Sequence, residues 1–514
     1  EYSVEIVNNY PVFSLDFRPE ATIELSLPAH EWQTLSIYTV YQSNSPEEQT
    51  IWSIDPADGL EEILSTQRVA NLTTGQWHPL LYRSPLDPHL VQYFRLNPDS
   101  VQGPFSFRLG KSSGEISLPS AQLNGWIGET LLYNRMLTLA EQQMVCTYLA
   151  LKYGLTLFGY EGAVWLGGEG NSLWNRLEAD NFRHRIAGFG LDHQSGLRQW
   201  GSTSVYAPDM IRIELSDSSE FANFDYQQYV LWGDNNAPLN FGSPDEPSDE
   251  IRTWRYEYTG PQLPPTINLS INARRWNRRA NGDDIYWVQF YPFSNERTAL
   301  EGSQFYPASD LSEEDQVSFQ NIHLPTESPS GYFSFLIGPE LMGLYETECS
   351  EQENTLHIRA IGGRPPYQFE LRNTQQEVVA QWEAETEELV ELPELEEAVY
   401  QLKVTDSEGT SSTTSIYPCR GQQPLDGAED KSDAIQVYLG PNPSIDGHFQ
   451  LTARLEEPLP LDIKIYDVLG QMVMHQQLLA QDFHQFQAYL AHSGLYYIQL
   501  SAGNHQTTLS LVRT

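Results

Sequence analysis

The stretch GWIGETLLYNRMLTLAEQQMVCTYLALKYGLTL, residues 125–157, decides the fold because it holds the one convincing long helix of the chain. Thr138 and Glu141 have the spacing of a capping box, in which a hydroxyl and a carboxylate each satisfy a free backbone N–H group. Apolar residues follow at spacings of three and four, which predicts an amphipathic helix. Gly154 supplies the left-handed residue that ends a helix. We therefore predict a helix over residues 138–153.

Strand-forming residues lie on both sides of this helix. Trp126, Ile127 and residues 129–133 predict a strand before it, and the pattern returns to strands after it. The chain contains 28 tyrosines, 32 prolines and 35 glycines, with few other helical periods, which favours β-structure elsewhere. The sequence thus predicts an all-β protein of tandem β-sandwiches in which one helix joins the first two.

Length and charge limit what the chain can be. A chain of 514 residues predicts about three to five domains. A net charge of −40 disfavours nucleic acid and anionic membranes as partners. There is no run of 18 apolar residues, so we expect no membrane span. The chain begins at Glu1 without a visible signal peptide, so we expect a mature form or a fragment.

The phrases E-x-x-x-YNR-x-L and YLALKYG-x-T around the helix resemble the end of a laminin-G or concanavalin-like domain of secreted Bacteroidetes surface proteins. The resemblance implies that residues 1–158 form a two-sheet jelly roll. It also implies glycan binding, in some members with calcium. The residues that carry the resemblance are Glu129, Tyr133, Asn134, Arg135, Leu137, Tyr148, Leu149, Ala150, Leu151, Lys152, Tyr153, Gly154 and Thr156.

We find no catalytic motif and predict that the chain is not an enzyme. Glycosidases usually need two carboxylates that flank one bond, and no suitably spaced pair is present. Asp192-His193 lies in a glycine-rich turn, where a structural role is the commoner one. Asp55, Asp58 and Gly59 form an acidic turn that suits either an Asx turn or a calcium ion, as do Asp234, Asn235 and Asn236. We therefore expect no required cofactor and leave calcium open.

Residues 159–345 predict a second β-sandwich. The phrases IAGFGLDHQSGLRQ-x-x-S-x-S, LWGDN and R-x-W-R resemble an uncharacterised sandwich that follows lectin-like domains in those surface proteins, and they imply no activity. This segment also holds the one basic cluster: Arg274, Arg275, Trp276, Arg278 and Arg279. The cluster predicts either a patch for an acidic polysaccharide, with arginine binding its anionic groups, or internal pairing with the chain's many acids.

Residues 346–420 predict a small third sandwich. The phrases GG-x-PPY-x-F and Y-x-L-x-VTD-x-x-G resemble the immunoglobulin-like adhesin repeats of gliding bacteria. Cys349 and Cys419 bracket this domain, so we predict a disulfide between them and a buried free thiol at Cys146. Three cysteines without a paired C-x-x-C exclude a zinc ribbon. The glutamate-rich run over residues 382–398 favours a solvated sheet edge over a calcium site.

A polar linker, residues 421–434, precedes the final segment, residues 435–514. The ordered phrases PNPS-x-x-G-x-F, I-x-IYD-x-x-G and SG-x-Y-x-I, with a basic residue near the end, resemble the C-terminal sorting domain of type IX secretion cargo. The resemblance implies recognition by the type IX outer-membrane machinery. The motif residues are Pro441, Asn442, Pro443, Gly447, Tyr466, Asp467, Gly470, Gly494, Tyr496 and Arg513.

Together these features predict a secreted protein on the outer face of the outer membrane. Three hypotheses for its role stay open at this point. The first is an adhesin or part of a surface structure that contacts glycans or other surface proteins. The second is a structural subunit that assembles with itself or with other surface proteins. The third is the accessory part of a secreted enzyme whose catalytic domain lies upstream of Glu1 or whose site the sequence does not reveal.

Overall fold

In the computed structural model the chain splits into two compact units, Glu1–Cys419 and Arg420–Thr514. Among the described residues there is a single α-helix, and nearly all other regular structure is β-strand. The structure describes residues 2–8, 10–15, 23–28, 34–56, 62–66, 69–70, 76–79, 88–95, 105–111, 121–157, 164–174, 180–217, 227–243, 251–260, 265–276, 279–280, 282–292, 302–312, 315–325, 328–349, 354–386, 390–392, 399–416, 435–440, 448–467, 472–490, 494–503 and 505–513.

The first sandwich precedes the helix. Two sheets, in the orders β3-β10-β5-β6-β7 (with β11 beside β5) and β12-β4-β9-β8, enclose a core around Trp52, while β1 and β2 form a separate hairpin. The strands are β1 (Tyr2–Val7), β2 (Tyr10–Leu15), β3 (Ile23–Leu27), β4 (Leu35–Ser43), β5 (Gln49–Pro56), β6 (Glu62–Ser65), β7 (Val69–Ala70), β8 (Gln76–Pro79), β9 (His89–Arg95), β10 (Phe105–Leu109), β11 (Ala121–Gln122) and β12 (Gly125–Tyr133).

Helix α1 (Leu139–Tyr153) confirms the helix that the sequence predicts over residues 138–153. Thr138 N donates to Glu141 Oε2 at 2.8 Å, and Glu141 N donates to Thr138 Oγ1 at 3.4 Å, so both halves of the capping box are present. Gly154 ends the helix with a φ of 65°. A Cβ at this glycine would lie 2.3 Å from the Thr203 carbonyl oxygen, so the position requires glycine for space as well as conformation.

One buried cluster joins the first sandwich, α1 and the second sandwich. Burial of an apolar side chain in this cluster contributes about 1.5–3 kcal/mol to folding. The helix is therefore packed against both sandwiches and is not a flexible linker. The cluster includes Tyr38, Val40, Leu90, Phe94 and Trp126 before the helix, Cys146, Leu149, Ala150, Leu151 and Tyr153 within it, and Tyr229, Leu231, Tyr291 and Tyr332 after it.

The second sandwich packs a seven-stranded sheet, β14-β13-β17-β18-β24-β20-β21, on a five-stranded sheet, β15-β16-β19-β23-β22. An aromatic-rich core that includes Trp232, Trp254 and Trp276 lies between them. The strands are β13 (His184–Asp192), β14 (Leu197–Gln199), β15 (Gly201–Thr203), β16 (Ile211–Leu215), β17 (Gln228–Asp234), β18 (Trp254–Thr259), β19 (Thr266–Asn272), β20 (Asp284–Tyr291), β21 (Gln304–Pro307), β22 (Asp310–Leu311), β23 (Gln316–His323) and β24 (Ser330–Pro339).

The third sandwich follows directly. A small cluster of Trp287 and Leu336 with Met342, Leu344 and Ile361 packs it on the second sandwich. Its sheets have the orders β25-β26-β29 and β28-β27-β30-β31. Its strands are β25 (Leu341–Cys349), β26 (Asn354–Gly362), β27 (Tyr367–Arg372), β28 (Val378–Ala384), β29 (Val390–Leu392), β30 (Tyr400–Thr405) and β31 (Ser411–Ile416).

The second unit is a five-stranded antiparallel sheet in the order β32-β33-β35-β36, with β34 also paired to β33. Its core gathers side chains such as Leu451, Ile463, Ile498 and Leu511, all fully buried. Its strands are β32 (Ile435–Gly440), β33 (His448–Asp467), β34 (Met472–Tyr489), β35 (Gly494–Ala502) and β36 (His505–Arg513).

The predicted fold class, tandem β-sandwiches with one connecting helix, is confirmed. The predicted boundaries at 158, 345, 420 and 434 stay predictions. Within Glu1–Cys419, packed clusters contain residues from both sides of the first two of them. No helix in the described part of the chain is long and apolar enough to cross a membrane.

Candidate functional site

Asp192, the acidic member of the Asp192-His193 pair, is a buried structural anchor. Burial opposes its charge, but hydrogen bonds from Ser195 and Tyr229 outweigh that cost and hold the pKa of Asp192 below its ordinary value. His193 is exposed on the same turn. A carboxylate whose oxygens already accept several donors is poorly placed to act as a base. The donors are Gly168 N at 3.1 Å, Ser195 Oγ at 2.5 Å, Tyr229 Oη at 2.7 Å, Gln194 N at 2.9 Å and Gln227 Nε2 at 2.9 Å.

Asp234 is fully buried at the end of β17 and is held by two arginines. Arg185 donates through Nε at 2.7 Å and also through Nη2, and Arg252 Nη1 lies 3.4 Å from Asp234 Oδ1. Asn236 N also donates to Asp234 Oδ1, at 2.8 Å, as in an Asx turn. Burial lowers the pKa of the neighbouring His184 to about 4, although Asp234 opposes the shift. The negative charge of Asp234 is thus balanced by two arginines of the same sandwich.

Glu129 ties the last strand of the first sandwich to α1. A bulge at Gly128 precedes it, since β12 and β4 shift register between Ile127 and Glu129. Lys152 Nζ lies 2.8 Å from Glu129 Oε2, and the hydroxyls of Tyr148 and Tyr153 donate to the same carboxylate. Several residues of the laminin-G-like phrases therefore make one structural network between strand and helix.

The predicted basic cluster is divided by the structure. Trp276 is 5% exposed and stacks on Phe241 with ring centroids 4.3 Å apart, so its ring faces the core and not an external ligand. Arg274 and Arg279 are exposed and share Asp315, and Arg275 pairs with Asp209. Arg278 lies outside the described residues. The predicted anion patch is thus reduced, in the described part of the chain, to three arginines around two aspartates.

Asp406 joins the two phrases of the third sandwich. Its Oδ2 accepts from Arg364 N at 3.1 Å, and its Oδ1 accepts from Glu408 N at 3.0 Å and Thr410 N at 2.8 Å. The pKa of Asp406 lies below its ordinary value because these backbone hydrogen bonds outweigh desolvation. The GG-x-PPY-x-F and VTD-x-x-G phrases therefore meet at one carboxylate.

Cys146 is free and buried, as expected, and burial raises the pKa of its thiol to about 12. Its thiol donates to Gln92 Oε1 at 3.7 Å. The predicted partners of the disulfide lie mostly outside the described residues: Cys349 ends β25 with an undescribed side chain, and Cys419 is undescribed throughout. The Cys349–Cys419 bridge stays a prediction.

We expect the purified protein to contain this bridge, which would close a loop of about 70 residues and contribute roughly 4 kcal/mol in the chain-entropy model. Alkylation of the folded, unreduced protein followed by peptide mass analysis measures it directly. Cys146 is an internal control because its buried thiol should react only after unfolding. Alkylation of Cys349 before reduction would show that the bridge is absent.

No group of three or more His, Cys, Asp and Glu side chains is placed to hold a metal ion within the described ranges. Asp58 and Gly59 of the acidic turn lie outside those ranges, and Asp55 pairs with Arg108 at 3.0 Å. Calcium binding, which needs six to eight oxygens, stays untested.

The motif residues of the second unit come together at one end of its sheet. Asp467 on β33 pairs with Tyr496 on β35, and Gly494 on β35 pairs with Arg513 on β36. Tyr496 is 6% exposed and belongs to the core, whereas the neighbouring Tyr466 is half-buried. The described motifs thus form a common strand end. Pro441, Asn442, Pro443, Gly447 and Gly470 lie outside the described residues.

Two protein-family models match this chain. A secretion system C-terminal sorting domain matches residues 436–513, and a domain of unknown function (DUF8202) matches residues 141–323. The first match confirms the predicted type IX sorting signal and marks the chain for export to the cell surface or the extracellular space. The second begins inside α1, and the function of that family is unknown.

Likeness to known proteins is otherwise remote. No curated protein matches by sequence. A biofilm-associated protein BSP domain is 7% identical over 96% of each chain, with a TM-score of 0.14. A two-domain fibronectin type-III segment of chicken tenascin is 10% identical over 32% of this chain and 94% of its own, with a TM-score of 0.13. At such TM-scores the likeness carries no inference about function.

Asn8 is a contact residue that the sequence did not single out. It lies at the tip of the β1–β2 hairpin with a φ of 53° and is 6% exposed. Its Nδ2 donates to the Leu151 carbonyl at 3.0 Å, and its Oδ1 accepts from Thr203 N at 2.7 Å. Nothing in the local sequence predicts that the turn before β2 packs against the end of α1 and against β15.

Proposed function

We propose that this protein is an adhesin that type IX secretion displays on the cell surface. The observation that carries the proposal is the sorting unit, which follows a compact unit of three successive β-sandwiches. A sorting signal supports a location at the cell surface or outside the cell, where a binding protein can contact its ligands. The resemblance of residues 1–158 to laminin-G domains, and of residues 346–420 to adhesin repeats, supports binding as the role.

The packing of the first unit also supports the proposal. The three sandwiches are joined through shared buried clusters, so a surface on any of them is held in a fixed orientation. Binding sites on rigid elements lose less entropy on engaging a ligand than sites on mobile segments do. We place glycan binding in residues 1–345, with the third sandwich as a spacer and calcium as an optional ion.

Adhesion of cells tests the proposal. We expect a strain that lacks the protein to lose attachment to polysaccharide-coated surfaces, and expression of the full chain to restore it. Expression of a foreign β-sandwich protein with the same sorting tail is the control, because it loads the export route equally. Attachment unchanged by loss of the protein would contradict an adhesin role, and filaments of the purified chain in electron micrographs would favour the structural-subunit alternative.

A further inference from the structure

Three loops meet at one end of the second sandwich. Antiparallel pairing places Ile211, at the start of β16, beside Ile271 near the end of β19, and places Asn272 beside Gln316, at the start of β23. The loop before β16, the loop after β19 and the loop before β23 therefore lie together. Loops gathered at one end of a sandwich are a common position for binding sites.

These loops carry a group of charged residues that we call the arginine end: Arg274, Arg275, Arg279, Asp209 and Asp315. Arg274 Nε lies 2.9 Å and Arg279 Nη1 lies 3.1 Å from the same oxygen, Asp315 Oδ2. Arg275 Nη2 lies 2.9 Å from Asp209 Oδ2. Three arginines thus share two aspartates, so within this group the guanidinium groups outnumber the carboxylates that they contact.

Much of the hydrogen-bonding capacity of these arginines faces solvent. Their side chains are 56%, 46% and 53% exposed for Arg274, Arg275 and Arg279. A guanidinium group has five N–H donors in a planar fork. Among the described residues, each of the three uses one donor in the ion pairs above, which leaves further donors for an external anion.

Core contacts hold the turn that carries Arg274 and Arg275. Trp276 stacks on Phe241 and meets Phe335 edge-on, both within the core. Ala273 is fully buried, and its N–H donates to the Asp315 carbonyl at 2.9 Å. The backbone of residues 273–276, which carries Arg274 and Arg275, is therefore held in place before any ligand arrives, which lowers the entropic cost of binding.

We propose that the arginine end binds the sulfate or carboxylate groups of an acidic polysaccharide. Guanidinium forks match both groups in a bidentate manner. Asp315 holds Arg274 and Arg279 as a pair for one anionic group, while Arg275 stands apart on Asp209 and suits a second, as a polymer with repeated charges provides. This site rests on the proposed adhesin function and names its ligand class.

The acidity of the rest of the chain is consistent with this assignment. The remaining surface repels a polyanion, and at physiological ionic strength that repulsion is screened beyond about 8 Å. Direct contact with the arginine end then decides whether such a polymer binds. The rival interpretation is that the arginines merely neutralise two aspartates, in exposed pairs that are worth little to stability.

Binding of defined oligosaccharides to the full chain tests the site. The probes are a heparin oligosaccharide, an oligogalacturonate and neutral dextran, measured by titration calorimetry. We expect one of the two anionic probes to bind, dextran not to bind, and the R274Q/R279Q variant to lose about 10- to 100-fold in affinity, since hydrogen bonds to charged groups are removed. Heparin carries both sulfates and carboxylates, so binding of heparin alone would show that sulfate is required, whereas binding of the oligogalacturonate would show that carboxylates suffice.

Arg364→Gln is the matched control. Arg364 is 73% exposed, pairs with Glu408 in the third sandwich and undergoes the same change of charge per residue. We expect it to bind the preferred probe as the parent protein does, and all variants to keep their melting temperature. No binding of either anionic probe, undiminished binding by R274Q/R279Q, or an equal loss in R364Q would each overturn the assignment. Cells that still adhere in that case would leave the adhesin function standing and the site wrong.

Discussion

Removal of residues 435–514 is expected to abolish surface display and to leave the protein in the periplasm. The deleted segment contains the whole match to the secretion sorting domain, and its described motifs meet at one end of the sheet. We expect a nearly complete loss, since export depends on recognition of this signal. Protease shaving of intact cells, followed by fractionation, measures the displayed and the retained protein.

Two controls separate sorting from folding. The truncated protein should melt as the first unit of the parent does, because Glu1–Cys419 is a compact unit with its own buried clusters. Fusion of residues 435–514 to a reporter with a foreign signal peptide should bring that reporter to the surface of a host with type IX machinery. Normal display of the truncated protein would sink the sorting role of the tail.

Local chemistry explains why the helix was predictable. A capping box and a C-terminal glycine act within a few residues of each other, so Thr138, Glu141 and Gly154 predict both ends of α1 without any tertiary information. The sorting motifs were recognisable for a related reason, since each is a short contiguous phrase and their order can be read directly from the sequence. Their convergence at one strand end depends on sheet register, which the sequence does not state.

The buried carboxylates could not be predicted, because their partners are distant in sequence. Asp192 accepts from Gly168 and Tyr229, and Asp234 is held by Arg185 and Arg252. A glycine-rich acidic turn looks alike whether it binds calcium, activates a histidine or ends a strand. The role of such a turn depends on which strands lie beside it, and only the folded sheet shows those neighbours.

Trp276 shows that neighbours in sequence do not reveal which side chains face the core. When only neighbours in sequence are considered, a tryptophan among arginines suggests that the guanidinium groups stack on its ring. In the structure, Ala273 and Trp276 face the core while Arg274 and Arg275 face solvent, because the chain makes a short 3₁₀ turn there. The aromatic ring therefore supports the arginines from beneath and is not available to a ligand.

The sequence predicts that a helix connects the first two sandwiches, but it does not predict that the helix packs on both of them. A helix between two β-segments indicates a connection, but its spacing of apolar residues cannot show that it packs on both. The shared cluster draws side chains from strands on either side of α1, and the match to the domain of unknown function starts within the helix. A boundary after the helix therefore divides a common core.

Asp234→Asn is expected to lower the free energy of unfolding of the second sandwich by about 3–5 kcal/mol, the usual cost of removing one partner of a buried ion pair. Asp234 is fully buried, and the side chains of Arg185 and Arg252 are 17% and 10% exposed. Burial lowers the pKa of Arg252 to about 10 while Asp234 opposes that shift. Without the carboxylate, both guanidinium charges stay in a poorly hydrated place without a counter-charge.

Chemical denaturation followed by tryptophan fluorescence measures this loss, because the buried Trp232 and Trp254 lie close to Asp234 in β17 and β18. Asp209→Asn is the matched control: its carboxylate is 58% exposed on Arg275, so the same change should cost less than about 1 kcal/mol. Adding Arg185→Gln to the Asp234→Asn chain should recover part of the stability, since one uncompensated charge is then removed. A small effect of Asp234→Asn, equal to that of Asp209→Asn, would mean that water or another group already compensates the two arginines.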